Sequence, residues 1–365
     1  MGMLVDGKWT DDDGASRGSD GKFDHLPTAF RNFITVDGTS GFIAEPSRYH
    51  LYATKTCPWA HRAILFRHLK GLTDVIGLQF GAHGHQGYRF DLHGPHTVPG
   101  TENRITFLHE LYSLSEPNYT GRVTVPTLWD AKEKIIVNNE SSEIIRMLNS
   151  AFGEYASNDY DYYPEALRSE IDTINDLVYN SINNGVYKAG FSSDQAAYEA
   201  AYDDLFEAFD VVEERLSKQR YLCGRQITES DWRLFPTLYR FDAIYHYAFK
   251  CNKKHLYQYP NMWNYVRALY QEPGVAQGAD PDRAGHPAAR HPAEAPLSGD
   301  QLEGCTAAAL DRFTAAAARR PAAEADSCDR TSVQCRNDPA GAASGGDQPC
   351  GCRPAGPGAV RSDHH

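Results

Sequence analysis

The sequence predicts an α/β domain followed by an all-helical domain, and three observations support this fold class. Residues 48–155 carry a β-α-β pattern and then a β-β-α pattern. In residues 160–277, apolar residues recur at helical spacing. After Gln277 the chain has no Tyr, Trp, Lys, Ile or Met. Such a composition cannot bury enough apolar surface to fold, so we expect residues 278–365 to be a disordered tail.

Length and charge bound the class of protein. The 365 residues are enough for two domains with substantial cores. The formal net charge of −12 argues against nucleic acid or an anionic membrane as the main partner. No apolar run approaches the roughly 20 residues that a membrane-spanning helix needs, and the N-terminus lacks the apolar core of a secretory signal. We therefore expect a cytoplasmic enzyme.

The first half of the α/β domain is predicted from strand and helix signals that alternate. Residues 49–53 predict a strand, and residues 58–70 predict a helix that ends at Gly71. Residues 75–80 predict a second strand. The Gly-, His- and Pro-rich residues 81–104 predict a long loop.

A hairpin and a helix complete this domain. Residues 123–129 and 134–137 predict the two strands of the hairpin, with Val125-Pro126 near the start of the first. Residues 143–150 predict the helix. The order of all these elements is that of a thioredoxin-like domain.

The flanking regions are simpler. Residues 1–47 are rich in Gly, Asp and Ser and predict an extended N-terminal arm. In the helical domain, an apolar stripe from Tyr198 to Leu216 predicts ordinary core packing. Thr228 can cap a helix, and the side chain of Asp231, three residues later, can bond back to the N–H of Thr228. This is a capping-box pattern.

Cys57 is the residue most informative about chemistry. It follows a strand and precedes Pro58, which suits the first position of a helix. Because unpaired N–H groups and the dipole at a helix start stabilise a thiolate, we expect a lowered thiol pKa. Ala60 stands where a dithiol site has its second cysteine, so Cys57 needs an outside thiol to complete each turnover. The alternative is a buried, inert cysteine.

The other cysteines indicate no metal site. Three of the eight lie in the patterned part of the chain and five lie in the tail, without zinc-binding spacing. They are Cys57, Cys223 and Cys251, then Cys305, Cys328, Cys335, Cys350 and Cys352.

Five separated segments resemble the glutathionyl-hydroquinone reductases, the xi-class, omega-like branch of the glutathione transferases. The resemblance covers about residues 28–277, and it implies a glutathione-binding thioredoxin-like domain before a helical substrate domain. The segments are Arg48–Arg62 with its Cys-Pro-Trp-Ala, Thr120–Pro126, Val137–Arg146, Asn183–Phe191 and Thr228–Asp242.

The resemblance implies a reductive deglutathionylation with glutathione as co-substrate and no metal. The substrate would be a glutathionylated quinol or a related aromatic thioether. Cys57 would take glutathione from it as a mixed disulfide, and a second glutathione would release the enzyme, giving hydroquinone and oxidised glutathione. The resemblance also implies a homodimer.

The resemblance assigns glutathione-binding roles by motif position. Val125, before a cis Pro126, would pair its backbone with the cysteinyl part of glutathione. Glu140 and Ser141 would hold the γ-glutamyl end, since a carboxylate suits its ammonium and a hydroxyl at a helix start suits its carboxylate. Helix capping is the alternative role for this pair.

Three aromatic residues complete the implied site. Tyr187 would face the aromatic substrate. Tyr88, in Gly87–Phe90, stands where the family usually has a Trp that covers glutathione. Trp59 would either line the pocket or pack in the core, and the sequence leaves both open.

The resemblance stops at the tail. After Gly274-Val275-Ala276 the family continues with a segment that supplies a second active-site Tyr, whereas this chain enters its Ala-, Gly- and Pro-rich tail. We expect an out-of-frame or otherwise altered C-terminus. Two other functions stay open. One is a general omega-like thiol transferase or dehydroascorbate reductase that uses Cys57, and the other is a glutathione-binding protein with impaired catalysis.

Overall fold

A five-stranded mixed sheet is the centre of the first domain. The computed structural model describes residues 2–11, 21–23 and 27–279. In these residues the strands are β1 (Met3–Val5), β2 (Lys8–Thr10), β3 (Tyr49–Thr54), β4 (Gly77–Gly84), β5 (Gly87–Arg89), β6 (His96–Thr97), β7 (Arg104–Ile105), β8 (Gly121–Arg122), β9 (Thr127–Asp130) and β10 (Ile135–Asn138). The sheet order is β10-β9-β3-β4-β5, with β3 parallel to β4 and antiparallel to β9.

The α-helices pack against this sheet and build most of the domain that follows it. They are α1 (Pro58–Leu69), α2 (Leu108–Ser115), α3 (Ser141–Ser150), α4 (Arg168–Leu177), α5 (Gly185–Phe191), α6 (Gln195–Lys218), α7 (Glu229–Arg240), α8 (His246–Ala248), α9 (Pro260–Tyr270) and α10 (Val275–Ala279). Single π-helical turns, Val178–Asn183 and Phe241–Tyr245, precede α5 and α8. None of the described helices combines the length and the apolar character needed to cross a membrane.

The end of α1 follows the sequence prediction closely. Gly71 adopts a left-handed conformation, with φ of +66°. Its N–H donates to the His68 carbonyl, and the next N–H, from Leu72, donates to the Arg67 carbonyl at 2.8 Å. These bonds satisfy carbonyls that the last turn of a helix leaves open. Glycine therefore fixes the length of the helix that carries Cys57 at its start.

The prediction of a loop over residues 81–104 is wrong where strands form, in β4 and β5 and in the short β6–β7 pair. Strand β4 continues to Gly84, and β5 returns antiparallel to it after the two-residue connection His85-Gln86. Gly87 begins β5 with a φ of +78°, a conformation that glycine adopts without strain. This hairpin brings Tyr88 toward the sheet edge beside Cys57.

The second hairpin begins later than the sequence predicts. Residues 123–126 are not paired as a strand, and β9 starts at Thr127. The Val125-Pro126 peptide bond is cis, as the resemblance implied. Proline has no N–H to donate to a strand ladder, which fits its place in the loop before β9. Helix α3 begins at Ser141, two residues before the predicted start.

Two features predicted for the helical domain are present in the structure, an apolar stripe on α6 and a capping box at the start of α7. In α6 the stripe residues Leu205, Phe209 and Val212 are fully buried. At the start of α7, Thr228 and Asp231 form the predicted capping box. Both signals therefore describe packing and helix initiation.

The N-terminal arm pairs with the first domain where it is described. Strand β1 lies between β2 and β8 in a small antiparallel sheet. The predicted disordered tail, residues 278–365, lies outside the described residues apart from its first two. The boundaries of the domains stay predictions.

Candidate active site

Cys57 lies between the central strand β3 and helix α1. Its sulfur accepts a hydrogen bond from the Ala60 N–H at 3.4 Å and so caps the helix. The thiol donates to the Val125 carbonyl at 3.4 Å, which places the loop before β9 against it. Cys57 is partly exposed. A substrate can therefore reach a thiol whose position is fixed by two backbone contacts.

Three tyrosines from separate elements surround this thiol. Tyr88 comes from β5, Tyr187 from α5 and Tyr245 from the π-helical turn before α8, and each interacts electrostatically with Cys57. The side chains of Tyr187 and Tyr245 are hydrogen-bonded to each other. Burial raises the pKa of Tyr187 well above its ordinary value and raises the pKa of Tyr245 to about 12. At neutral pH these phenols are protonated and can act as hydrogen-bond donors.

Aromatic rings extend the wall around Tyr187. Its ring centroid lies 5.5 Å from that of Phe249, 6.0 Å from Phe191 and 6.3 Å from Trp59. Such rings suit a flat aromatic ligand, with phenolic hydroxyls available at one end. Trp59 therefore lies next to the residue predicted to face the substrate.

Glu140 and Ser141 begin helix α3. Glu140 caps the helix, because its carboxylate accepts hydrogen bonds from the N–H of Ser142 at 3.1 Å and from its hydroxyl at 2.9 Å. Ser141 is buried, and its hydroxyl oxygen accepts from Nη1 of Arg62 at 3.3 Å. The capping role is thus observed, and the helix start offers the N–H groups and hydroxyl that an anion would need.

Two buried guanidinium groups lie near the thiol. Arg62 projects from α1 and packs over the Trp59 ring, with its carbon 4.5 Å from the ring centroid. Arg240, at the end of α7, donates to the Lys55 carbonyl at 2.8 Å and to Nδ1 of His61 at 2.9 Å. Burial, with Arg240 acting in the same direction, lowers the pKa of His61 well below its ordinary value. Its neutral ring therefore accepts the hydrogen bond from Arg240.

Known proteins are similar in sequence to most of this chain. Models of the glutathione S-transferase N-terminal and C-terminal domains match residues 56–151 and 195–268. The Escherichia coli glutathionyl-hydroquinone reductase YqjG is 45% identical over 285 residues, 76% of this chain and 87% of that protein. The Sphingobium chlorophenolicum glutathionyl-hydroquinone reductase PcpF is 47% identical over 278 residues, with 76% and 87% covered. The chain belongs to the glutathione transferases.

Solved structures narrow the class of this transferase. A glutathione-bound structure of YqjG superposes with a TM-score of 0.68 at 43% identity, covering 77% of this chain and 88% of that one. A xi-class transferase from Natrialba magadii gives a TM-score of 0.70 at 41% identity, covering 77% and 87%. The predicted xi-class family and the predicted fold class are confirmed, with a thioredoxin-like domain preceding a helical glutathione-transferase domain.

Several of the predicted site residues of this transferase contact Cys57 or interact with it, and another is linked to the helix that follows Cys57. Val125 contacts the thiol directly, and Tyr88 and Tyr187 interact with it electrostatically. Ser141 is linked to α1 through Arg62. Their roles in binding glutathione or quinol stay predictions. In the part of the chain that the structure describes, no group of three His, Cys, Asp or Glu residues could hold a metal ion.

Sequence reasoning missed Arg62, Arg240 and Tyr245. Arg62 and Arg240 lie inside segments that carried the family resemblance, but nothing local distinguished them from surface arginines. Tyr245 is one of 21 tyrosines in the chain. The burial of these arginines is what distinguishes them, and burial becomes visible only in the structure.

The expected lowering of the Cys57 pKa is wrong in direction. Burial raises the pKa of the Cys57 thiol above its ordinary value, because a low-dielectric environment disfavours the thiolate. The N–H groups of Ala60 and Trp59 and the charges of Arg240 and Arg62 act the other way. The helix start therefore has the predicted effect on the thiol pKa, but burial of the thiol outweighs it.

We expect Arg240→Gln to slow alkylation of Cys57 at neutral pH. Removing a charge that lowers the thiol pKa raises that pKa further, so a smaller fraction is thiolate at any given pH. Iodoacetamide labelling across a pH series, with peptide mapping of Cys57 by mass spectrometry, measures the effect. Arg67→Gln is the matched control, since Arg67 is also buried but lies on α1 and donates to the carbonyls of Ile76 and Thr73. An unchanged pH profile in Arg240→Gln would contradict this electrostatic role.

Proposed function

We propose that this chain is a glutathionyl-hydroquinone reductase that uses glutathione as its co-substrate. The observation that supports it most is the placement of one partly exposed thiol, Cys57, at a helix start and among three phenols. Ala60 occupies the position at which a dithiol redox site has its second cysteine. Two proteins named glutathionyl-hydroquinone reductase are 45% and 47% identical to the chain.

In the first half-reaction, the Cys57 thiolate attacks the sulfur of the glutathionyl-hydroquinone. The bond between that sulfur and the ring carbon breaks, and its electron pair stays on the ring carbon, which takes up a proton. Cys57 is left disulfide-bonded to glutathione, and the hydroquinone departs. Tyr187 and Tyr245 are both protonated at neutral pH, and the phenol whose O–H is not used in the hydrogen bond between them can donate to the quinol oxygen.

In the second half-reaction, the thiolate of a second glutathione attacks the glutathione sulfur of the mixed disulfide. Oxidised glutathione forms, and Cys57 returns as a thiolate. The net change is one glutathionyl-hydroquinone and one glutathione converted to one hydroquinone and one oxidised glutathione. A single thiol suffices, which agrees with the residue at position 60.

The glutathione contacts are proposed from the same surroundings. The Val125 backbone, before cis Pro126, would pair with the cysteinyl part, since Val125 already contacts the Cys57 thiol. Glu140 and Ser141 would hold the γ-glutamyl ammonium and carboxylate. Residues Tyr88 and Trp59 would cover the tripeptide from either side of Cys57. We also propose a cytoplasmic location, as the composition predicts, and a homodimer, as the family resemblance implies. Size-exclusion chromatography with light scattering tests the dimer.

The reaction is tested by comparing two substrates. We expect the purified chain, supplied with glutathione, to turn over a glutathionyl-hydroquinone faster than a small glutathione mixed disulfide. Chromatography of the products should give one hydroquinone for each oxidised glutathione. The reverse order of rates would favour a general thiol transferase. Glutathione binding without turnover of either substrate would favour a binding protein.

A further inference from the structure

Arg62 is a buried cation that forms no ion pair with a carboxylate in the described part of the chain. Its side chain is on α1, and the residue is 2% exposed. The guanidinium donates to Asn183 Oδ1 at 2.6 Å, to the Arg233 carbonyl at 2.9 Å and to Ser141 Oγ at 3.3 Å. Among the residues that the structure describes it forms no ion pair. The carboxylates of Glu140 and Glu229 favour its charge without forming an ion pair with it, so a bound anion would offset more of the cost of burying it.

The hydrogen bond to Ser141 fixes the direction in which that serine can act. A guanidinium can only donate, so Ser141 Oγ must be the acceptor in this bond. The serine O–H is then left to donate to another group. Ser141 is the first residue of α3, where N–H groups also lack partners within the helix. Hydroxyl, N–H groups and guanidinium together favour an anionic acceptor such as a carboxylate.

We propose that Arg62 is a positioning residue that keeps Ser141 as a hydrogen-bond donor to the γ-glutamyl carboxylate of glutathione. This inference rests on the proposed function, which places the γ-glutamyl end of glutathione at Ser141. Arg62 acts through Ser141 and supplies positive potential behind it. It lies on the same helix as Cys57, so the element that presents the thiol also orients the far end of the ligand.

Binding of two ligands tests the inference without any turnover. Calorimetry would compare glutathione with an analogue whose γ-glutamyl carboxylate is a neutral amide. We expect the parent chain to prefer glutathione by about tenfold or more, because a hydrogen bond to a charged group is worth roughly that factor. Arg62→Met and Ser141→Ala should each remove most of this preference. The double variant should lose little more than the worse single variant, since the two residues act in series.

Asn183→Ala separates this role from a structural one. Asn183, in the helical domain, accepts a hydrogen bond from Nη2 of Arg62, whereas Ser141 accepts one from Nη1. Losing Asn183 therefore leaves the hydrogen bond from Arg62 to Ser141 in place. We expect Asn183→Ala to retain the preference for the carboxylate ligand, and Arg62→Lys to retain part of it. If Arg62 only joined the two domains, Asn183→Ala would resemble Arg62→Met.

The outcomes that overturn the inference are distinct from those that overturn the proposed function. A parent chain that binds no glutathione overturns the proposed function and this inference with it. A parent chain that discriminates between the ligands, beside an Arg62→Met variant that discriminates equally well, overturns the inference alone. Fully additive losses in the double variant also overturn it.

Discussion

Replacing Cys57 by serine should abolish turnover of a glutathionyl-hydroquinone, with a loss of about 10³-fold or more. A serine hydroxyl is far less acidic than a thiol, and it cannot form the mixed disulfide on which the proposed cycle depends. Serine is close to cysteine in size and can still accept the hydrogen bond from the Ala60 N–H. The variant should therefore fold and bind glutathione, and it should lose the chemistry.

Mass spectrometry of the parent chain provides the direct readout. After incubation with a glutathionyl-hydroquinone, the peptide containing Cys57 should carry a glutathione adduct, and added glutathione should remove it. Cys223→Ala is the matched control, because Cys223 is buried and lies away from the tyrosine cluster. It should keep its activity and form the adduct on Cys57.

Two results would count against this mechanism. If the Cys57→Ser variant were as active as the parent chain, Cys57 would not be the nucleophile. If both were inactive while both bound glutathione, the protein would be a binding protein rather than an enzyme. Either result can be read from the same preparations.

The position of the nucleophile could be predicted because its signals are local. Cys57 follows a strand, and Pro58 begins a helix whose end is set by Gly71. Each signal involves neighbours in the sequence. The hairpin of β4 and β5 was missed because its connection, His85-Gln86, is not a common turn sequence. Its conformation depends on Gly87, one of 30 glycines in the chain.

The electrostatic surroundings of the thiol could not be predicted, because they come from distant parts of the chain. Arg240 reaches the Lys55 carbonyl across 185 residues, and Arg62 reaches the Arg233 carbonyl across 171. The three tyrosines that interact electrostatically with the thiol, Tyr88, Tyr187 and Tyr245, come from separate elements that no sequence pattern brings together. The sequence predicted correctly that the helix start lowers the Cys57 pKa. The net shift is upward because burial, which depends on the tertiary structure, has the larger effect.

Asp231→Ala should have the largest effect on stability, lowering the free energy of unfolding by about 4 kcal/mol. The Asp231 carboxylate is fully buried and accepts hydrogen bonds from the N–H groups of Thr228 at 2.7 Å and Leu222 at 2.9 Å. It also accepts hydrogen bonds from the hydroxyls of Tyr265 at 2.9 Å and of Thr228 at 3.2 Å. Alanine would leave all four buried donors without their acceptor, and each orphaned donor costs about 1–3 kcal/mol.

Burial raises the pKa of Asp231, since it disfavours the charged carboxylate, and these four donors oppose that shift. These donors offset the cost of burying the carboxyl group. Removing the acceptor therefore destabilises the start of α7, the loop at Leu222 and helix α9 together. The midpoint of thermal unfolding should fall by about 10 °C. Asp194→Ala removes the exposed cap of α6, a single bond to the Ala197 N–H at 3.0 Å, and should cost only about 1 kcal/mol. Equal losses in the two variants would mean that helix capping alone, without the buried donors, accounts for the role of Asp231.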